Sequence, residues 1–212
     1  MTTTTIEKKE GLAARNFYET IYKERLPSEH PWVAGTASPE LIKLVWEQVL
    51  VPGMKVLEIG SGIGTESVFM ATRGMDVTGV DLSESAIEIS KKLADLYGVK
   101  INFQQGDALH LDFPDNHFDV LCDQGVFHHL KDEERAVYAQ SIARVLKPNG
   151  LLVLRCFSDK IPGGPQPRRV SSTELLDTLL PYFKLEQLER VLSFSTPLRQ
   201  RPLGWSTLWY KK

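Results

Sequence analysis

The chain has 212 residues, of which 42% are hydrophobic and 25% are charged. This length accommodates one α/β domain with a full core and is too short for two ordinary catalytic domains. The 25 Lys and Arg against 27 Asp and Glu give a net charge of −2, so there is no global basic field to recruit nucleic acid or an anionic membrane. We therefore expect a single domain over residues 1–212 that acts on a small molecule.

The N-terminal segment, residues 1–38, is predicted to be an extension of this domain that includes a lid. Its first ten residues lack the apolar core of a signal peptide, and no apolar run in the chain reaches the length of a membrane span, which predicts a cytoplasmic protein. A helical pattern covers residues 12–22. Residues 26–39 are rich in Pro, Gly and Ser yet include Trp32, which either closes over a site or fills a surface groove.

A strand, a glycine turn and a helix are predicted in succession from residue 55 onwards. Val56, Leu57 and Ile59 fit a buried strand of a parallel sheet, and the glycines between Gly60 and Gly64 allow a close approach of bare backbone to a ligand. The third glycine of a dinucleotide fingerprint is missing, which disfavours NAD. A carboxylate at Glu58 suits instead a ligand with an ammonium group, such as an amino-acid moiety.

The following residues alternate predicted strands with predicted helices. Further strands are predicted at residues 76–81, 101–105, 118–122, 151–157, 183–194 and 203–210, and helices at residues 39–49, 65–73, 83–96, 132–146 and 171–180. The alternation indicates βα units, and the short spacing of the last two strands predicts an antiparallel pair. Residues 158–170 are rich in Pro and Gly and are predicted to form a loop over one edge of the site.

Acidic side chains follow two of the predicted strands. Asp81 lies 17 residues after Gly64, about where a carboxylate reaches a ribose diol, and otherwise it caps the next helix. Asp107 follows the third strand and either accepts the exocyclic amine of adenine, with Ala108 beside it, or caps a turn. Because ligands of open α/β sheets lie across the carboxyl ends of the strands, both residues are candidates for a cofactor site.

The runs from Val56 to Gly64 and from Val145 to Leu151, together with Asp81, resemble motifs of the class I S-adenosylmethionine-dependent methyltransferases. The resemblance implies an α/β fold with a Rossmann-like, doubly wound, seven-stranded sheet whose last strand is antiparallel. It also implies S-adenosyl-L-methionine as the cofactor. The residues implied to line it, including one that closes over it, are Trp32, Glu58, Gly60, Ser61, Gly62, Asp81, Leu82, Asp107, Ala108 and Asp123.

The end of the fourth strand supplies the candidate catalytic residues Asp123, Gln124 and His128. Methyl transfer is an in-line displacement, so the protein mainly has to align the reactants and exclude water. A thiol of pKa about 8.5 is already partly ionised near neutral pH, whereas a hydroxyl acceptor needs a base. His128 and His129 are the bases next to this centre, and each either faces the site or packs on the following helix.

A narrower resemblance, to the thiopurine and thiol methyltransferases, concerns the acceptor. It rests on Pro31-Trp32, on residues 123–127 with Arg135 and Tyr138, and on Gly163-Gly164-Pro165, while Gln124 departs from the arginine associated with many members. The predicted function is therefore methyl transfer to a thiol or another soft nucleophile. The alternatives are an O- or N-methyltransferase of a small metabolite and a catalytically silent cofactor-binding module.

Two further residue groups have ordinary interpretations. Cys122 and Cys156 lie in predicted buried strands, and without a C-x-x-C motif or a Cys/His cluster no metal site is expected. The arginine pairs at residues 168–169 and at residues 199 and 201 either hold an acidic substrate group or are solvated loop charges.

Overall fold

A computed structural model describes residues 16–161, 168–192 and 203–212. The sequence features noted at residues 163–165, 199 and 201 lie outside the described residues, as does the first part of the predicted N-terminal helix. No helix in the described ranges is both long enough and apolar enough to cross a membrane.

Six helices and seven strands make up the regular structure of these ranges. Residues 16–24 form helix α1. The other helices are α2 (Pro39–Trp46), α3 (Thr65–Ala71), α4 (Glu84–Leu96), α5 (Asp132–Val145) and α6 (Ser172–Leu179). The strands are β1 (Lys55–Ile59), β2 (Asp76–Asp81), β3 (Asn102–Gln105), β4 (Phe118–Asp123), β5 (Leu146–Phe157), β6 (Phe183–Leu192) and β7 (Leu203–Lys211). Short 3-10 turns span Pro27–Glu29 and Phe127–His129.

The strands form one sheet in the order β3-β2-β1-β4-β5-β7-β6. Strands β1 to β5 pair in parallel, whereas β7 runs antiparallel to both β5 and β6. The predicted fold class is therefore confirmed. The strand order reverses between β1 and β4, and the crevice at the carboxyl ends of these two strands is where open α/β sheets bind their ligands.

Helices cover both faces of the sheet, as the near-continuous apolar strands require. Alternation along β1 sends Leu57 to one face, into a core shared with Tyr138 and Ile142 of α5. Val56 points to the opposite face and packs in a second core with Leu41 of α2. Strand β1 thus packs against helices on both faces of the sheet. Because the glycine turn directly follows β1, this packing also fixes its position.

The boundaries of β5 and α2 differ most from the sequence-based prediction. Strand β5 begins at Leu146 instead of residue 151, because the predicted turn is a local irregularity within the strand, with Asn149 at a φ of 58°. The pairing with β4 shifts register there, as an extra stretch on one strand demands. Helix α2 ends at Trp46 instead of residue 49, and Gln48 adopts a φ of 58° shortly after it.

Candidate active site

The glycine turn lies at the carboxyl end of β1, beside the point where the strand order reverses. Gly60, Gly62 and Gly64 have φ values of 65°, 52° and 82°, a backbone conformation that residues other than glycine rarely adopt. A Cβ on Gly60 would collide with the Val126 side chain, and one on Gly62 would lie 3.0 Å from the Tyr22 hydroxyl. Both the conformation and the close neighbours explain why glycine is needed here.

Asp81 connects the end of β2 to the glycine turn. Its Oδ2 accepts a hydrogen bond of 2.8 Å from the Gly62 backbone N–H, and its Oδ1 accepts one of 2.9 Å from that of Ser83. Burial raises the pKa of Asp81, although these hydrogen bonds oppose the shift. The capping geometry considered for Asp81 is therefore present, and each carboxylate oxygen keeps a further lone pair for a ligand.

Glu58 lies beneath the glycine turn and is 2% exposed. The Ser67 hydroxyl, in the first turn of α3, donates a hydrogen bond to its Oε2. Burial raises the pKa of Glu58 well above its usual range, and the neighbouring Glu66 carboxyl adds to this shift. The alternation of β1 directs this side chain under α3, so the carboxyl group lies beneath the turn.

Asp123, at the end of β4, uses its whole carboxylate within its own loop and is 0% exposed. Its Oδ1 accepts from the backbone N–H groups of Gly125 at 2.8 Å and Val126 at 2.6 Å. Its Oδ2 accepts from Phe127 N–H at 3.1 Å and from the Tyr138 hydroxyl at 2.5 Å. Four donors therefore occupy the four acceptor positions of the Asp123 carboxylate, which holds the backbone of the loop after β4.

The residues after Asp123 differ in their environment. Both polar atoms of the Gln124 amide are buried without a hydrogen-bond partner in the described part of the chain. The His128 ring is 7% exposed and stacks on Phe157, with 4.3 Å between ring centroids. Desolvation lowers the pKa of His129 to about 4, and the Tyr18 hydroxyl lies 3.1 Å from its Nε2.

The predicted adenine-side residues adopt turn geometry. Asp107 Oδ1 accepts a hydrogen bond of 2.9 Å from the Leu109 backbone N–H, which is the capping contact considered for it. Ala108 is 9% exposed. The Leu82 carbonyl oxygen accepts from the Gln105 side chain at 2.8 Å, and this contact links the chain after β2 to the end of β3.

Residues 16–38, here called the cover segment, extend across this edge of the sheet. Glu19 accepts hydrogen bonds from the hydroxyls of Ser83 at 2.8 Å and Ser85 at 2.5 Å, at the start of α4. The Tyr22 hydroxyl accepts from Trp32 Nε1 at 3.0 Å. The sequence reasoning missed Tyr18, Glu19 and Tyr22, because nothing in a local helical pattern reveals that α1 packs on a glycine turn far along the chain.

The structure also shows the environment of Arg168 and of the two cysteines. Arg168 forms ion pairs with Asp132 at 2.5 Å and Glu174 at 2.8 Å, so its charge is already compensated within the protein. Cys122 and Cys156 are buried free thiols.

A sheet of this order, with a glycine turn at the strand reversal, an acidic residue ending β2 and an antiparallel β7, defines the class I S-adenosylmethionine-dependent methyltransferases. The family model described as a methyltransferase domain matches residues 56–150. The chain is 30% identical to the 2-heptyl-1-hydroxyquinolin-4(1H)-one methyltransferase of Mycobacteroides abscessus, over 82% of this chain and 79% of that protein. This chain therefore belongs to the methyltransferase family.

Two further similarities extend the comparison. Thiocyanate methyltransferase 1 of Brassica oleracea is 33% identical, over 75% of this chain and 71% of that protein. A structure solved in work on the conversion of a disulfide bond into a thioacetal group during echinomycin biosynthesis superposes with a TM-score of 0.81 at 22% identity, covering 94% of this chain and 93% of that one. At that identity the superposition shows a shared fold.

The family implies S-adenosylmethionine as the cofactor, and the residues at this edge fit such a ligand. The Ser61 hydroxyl and the Gln124 amide are buried and have no hydrogen-bond partner in the ranges that the structure describes. Because the great majority of buried polar groups in proteins are paired, such atoms mark places where a ligand supplies the partner. Ser61 lies within the glycine turn, and Gln124 follows Asp123, which pairs with the last residue of β1.

Proposed function

We propose that this methyltransferase acts on a small molecule whose nucleophile is a thiol or another soft group that reaches the site already ionised. The observation that supports this is the state of two ionisable groups after β4. Asp123 has all four acceptor positions occupied, and desolvation holds the pKa of His129 at about 4. Neither is suited to deprotonate a hydroxyl, whereas a thiol ionises near neutral pH without help.

The chain's own residues are assigned to three tasks. When bound, S-adenosylmethionine supplies the methyl group as an electrophile. Asp81 is proposed to accept the ribose hydroxyls, Glu58 to compensate the ammonium group from beneath the turn, and Asp107 to accept the adenine amine. The remaining proposed cofactor contacts are Trp32, Gly60, Ser61, Gly62, Leu82, Ala108 and the backbone of Asp123.

Alignment and exclusion of water are proposed to come from two segments. The Asp123 carboxylate holds the backbone of the following turn, which positions the Gln124 amide beside the reacting groups. Residues 16–38 act as the lid, since Glu19 fixes α1 to α4 while Tyr22 and Trp32 lie over the glycine turn. Excluding water in this way favours attack on the methyl group by the acceptor over attack by water.

An O-methyltransferase is the second candidate. His128 lies at the same edge, 7% exposed and stacked on Phe157, and is a candidate base. The relative from Mycobacteroides abscessus is named for a hydroxylated quinolinone, and the relative from Brassica oleracea for thiocyanate, an anion that needs no deprotonation. The two relatives therefore support different acceptors.

Rates with thiophenol and phenol, measured as a function of pH, separate the two candidates. For a thiol acceptor at subsaturating concentration, we expect the rate to rise toward the acceptor's own pKa and to follow that pKa across a series of substituted thiols. His128→Ala and His129→Ala should each keep most of the thiol activity, as should the control His117→Ala, whose ring contacts Phe118 at the start of β4. The O-methyltransferase would instead be established if the wild type prefers phenol and the rate with phenol falls about 100-fold in His128→Ala.

A further inference from the structure

His30 is a buried imidazole whose two ring nitrogens have no hydrogen-bond partner among the described residues. The residue is 1% exposed. Its ring stacks on Trp32, with 5.2 Å between centroids and 12° between planes, and meets the edge of Tyr22 at 5.0 Å. Tyr22 in turn places its hydroxyl 3.0 Å from the Cβ position of Gly62, so His30 belongs to the part of the cover segment nearest the glycine turn.

Four other polar side chains of the cover segment have hydrogen-bond partners, unlike His30. Tyr22 and Trp32 bond to each other, Tyr18 contacts His129, and Glu19 bonds to the start of α4. Burial lowers the pKa of His30, so the ring is neutral near pH 7 and offers one donor and one acceptor. A buried donor and a buried acceptor that lack partners destabilise the folded state, and the ring stacking does not require either nitrogen.

We propose that His30 is a specificity-determining residue of the acceptor site, whose ring nitrogens hydrogen-bond the polar head group of the methyl acceptor beneath the cover segment. This inference rests on the proposed methyltransferase function. It assigns His30 to the acceptor because the ribose, ammonium and adenine groups of the cofactor already have proposed partners in Asp81, Glu58 and Asp107. Proteins that share a fold commonly differ in substrate through the loops and segments around the shared scaffold.

Two substitutions test this role. His30→Phe keeps a flat ring for the stack on Trp32 but removes both nitrogens, and His30→Gln restores one donor and one acceptor. We expect His30→Phe to raise the KM for the acceptor about tenfold or more, with His30→Gln recovering part of the loss. The dissociation constant of S-adenosylhomocysteine should not change. The control His117→Phe removes an imidazole that contacts Phe118, and it should leave both constants unchanged.

Thermal unfolding distinguishes this role from a structural one. Because His30→Phe removes polar atoms that have no partner among the residues that the structure describes, its Tm should equal or exceed that of the wild type. If His30→Phe melts early but keeps a normal KM for the acceptor, His30 is a packing residue. A weakened S-adenosylhomocysteine constant with an unchanged acceptor KM would make it a cofactor contact. Either result overturns the proposal.

A readout without turnover separates this inference from the function on which it rests. In protein saturated with S-adenosylhomocysteine, the ring nitrogen signals of His30, assigned by their loss in His30→Phe, should shift when thiophenol or phenol is added. Wild-type protein that methylates neither compound would contradict the proposed acceptor class. His30 signals that respond to neither compound would overturn the inference itself.

Discussion

The polar residues at the end of the sheet fall into two groups that only hydrogen-bond geometry separates. Asp123 has all its acceptor positions filled by its own loop and by Tyr138. Asp81 accepts one backbone N–H at each oxygen and keeps a lone pair on both. Two aspartates at the carboxyl ends of β2 and β4, the strands on either side of β1, thus have different capacities, one to position a loop and one to take a ligand.

Asp81→Asn is therefore expected to weaken cofactor binding. The amide can present only one acceptor oxygen, so the ligand loses a charged partner, at a cost of about 1.5–3 kcal/mol in binding free energy. Calorimetric titration with S-adenosylhomocysteine measures this loss. Asp76→Asn, at the exposed start of β2, is the matched control. An unchanged dissociation constant in Asp81→Asn would reduce Asp81 to a helix and turn cap.

Glu174 links stability to pH at the start of α6. Burial alone would raise the pKa of Glu174, but hydrogen bonds from Ser171, Arg135 and Arg168 outweigh it and lower the value to about 2. The unfolded-state pKa of a glutamate is about 4.3. A lowered pKa in the folded state stabilises the protein fully above the unfolded value, and this contribution is lost as pH falls toward the folded value.

The variant Glu174→Gln should consequently melt below the wild type at pH 7. The difference in Tm should narrow as pH falls from about 4.3 to about 2, where the wild-type carboxylate also becomes protonated. Glu133→Gln, an exposed position on α5, should show no such pH-dependent difference. A Tm difference that stays constant across this range would contradict the assigned hydrogen-bond network.

At the scale of elements, the cover segment is joined to the rest of the molecule mostly through polar and aromatic contacts. Glu19 reaches α4, Tyr22 reaches the glycine turn, and Trp32 bonds to Tyr22 while remaining 37% exposed. Few of its residues belong to the two large cores of the sheet. Elements with few core contacts open at low free-energy cost, as a lid requires.

Trp32→Ala is expected to lower activity more than stability. The substitution removes the proposed closure over the cofactor but little of the main core, so kcat should fall severalfold or more while Tm drops by only a few degrees. Trp46→Ala, at an 86% exposed position on α2, is the control and should change neither quantity. A variant that melts early and yet turns over normally when folded would place Trp32 in the core and contradict the lid.

For the whole molecule, ligand binding should couple to global stability. S-adenosylmethionine at about 100 times its dissociation constant should stabilise the native state by about 2.7 kcal/mol and raise Tm accordingly. NAD at the same concentration should have no effect, since the third glycine of the dinucleotide motif is absent. A thermal shift with NAD alone, or none with millimolar S-adenosylmethionine, would contradict the assigned cofactor.

Local patterns in the sequence indicated the fold class and the glycine turn, because periodicity, capping residues and glycine conformations act over a few neighbouring residues. The strand order came from the structure. The capping of α4 by Ser83 and of α6 by Ser171 follows from such patterns. The bulged start of β5 was missed, since Asn149 can either end a turn or continue a strand through an irregularity.

The roles of individual site residues depended on contacts between distant parts of the chain, which no local pattern encodes. Tertiary packing decided that Asp123 is fully hydrogen-bonded, that Glu58 lies beneath α3, and that α1 crosses the glycine turn. It also left His30 buried, with ring nitrogens that have no hydrogen-bond partner within residues 16–161, 168–192 and 203–212. The sequence thus determined which residues reach the carboxyl edge of the sheet, and the tertiary structure decided which of them have hydrogen-bonding capacity left for a ligand, because that capacity is whatever the other elements do not use.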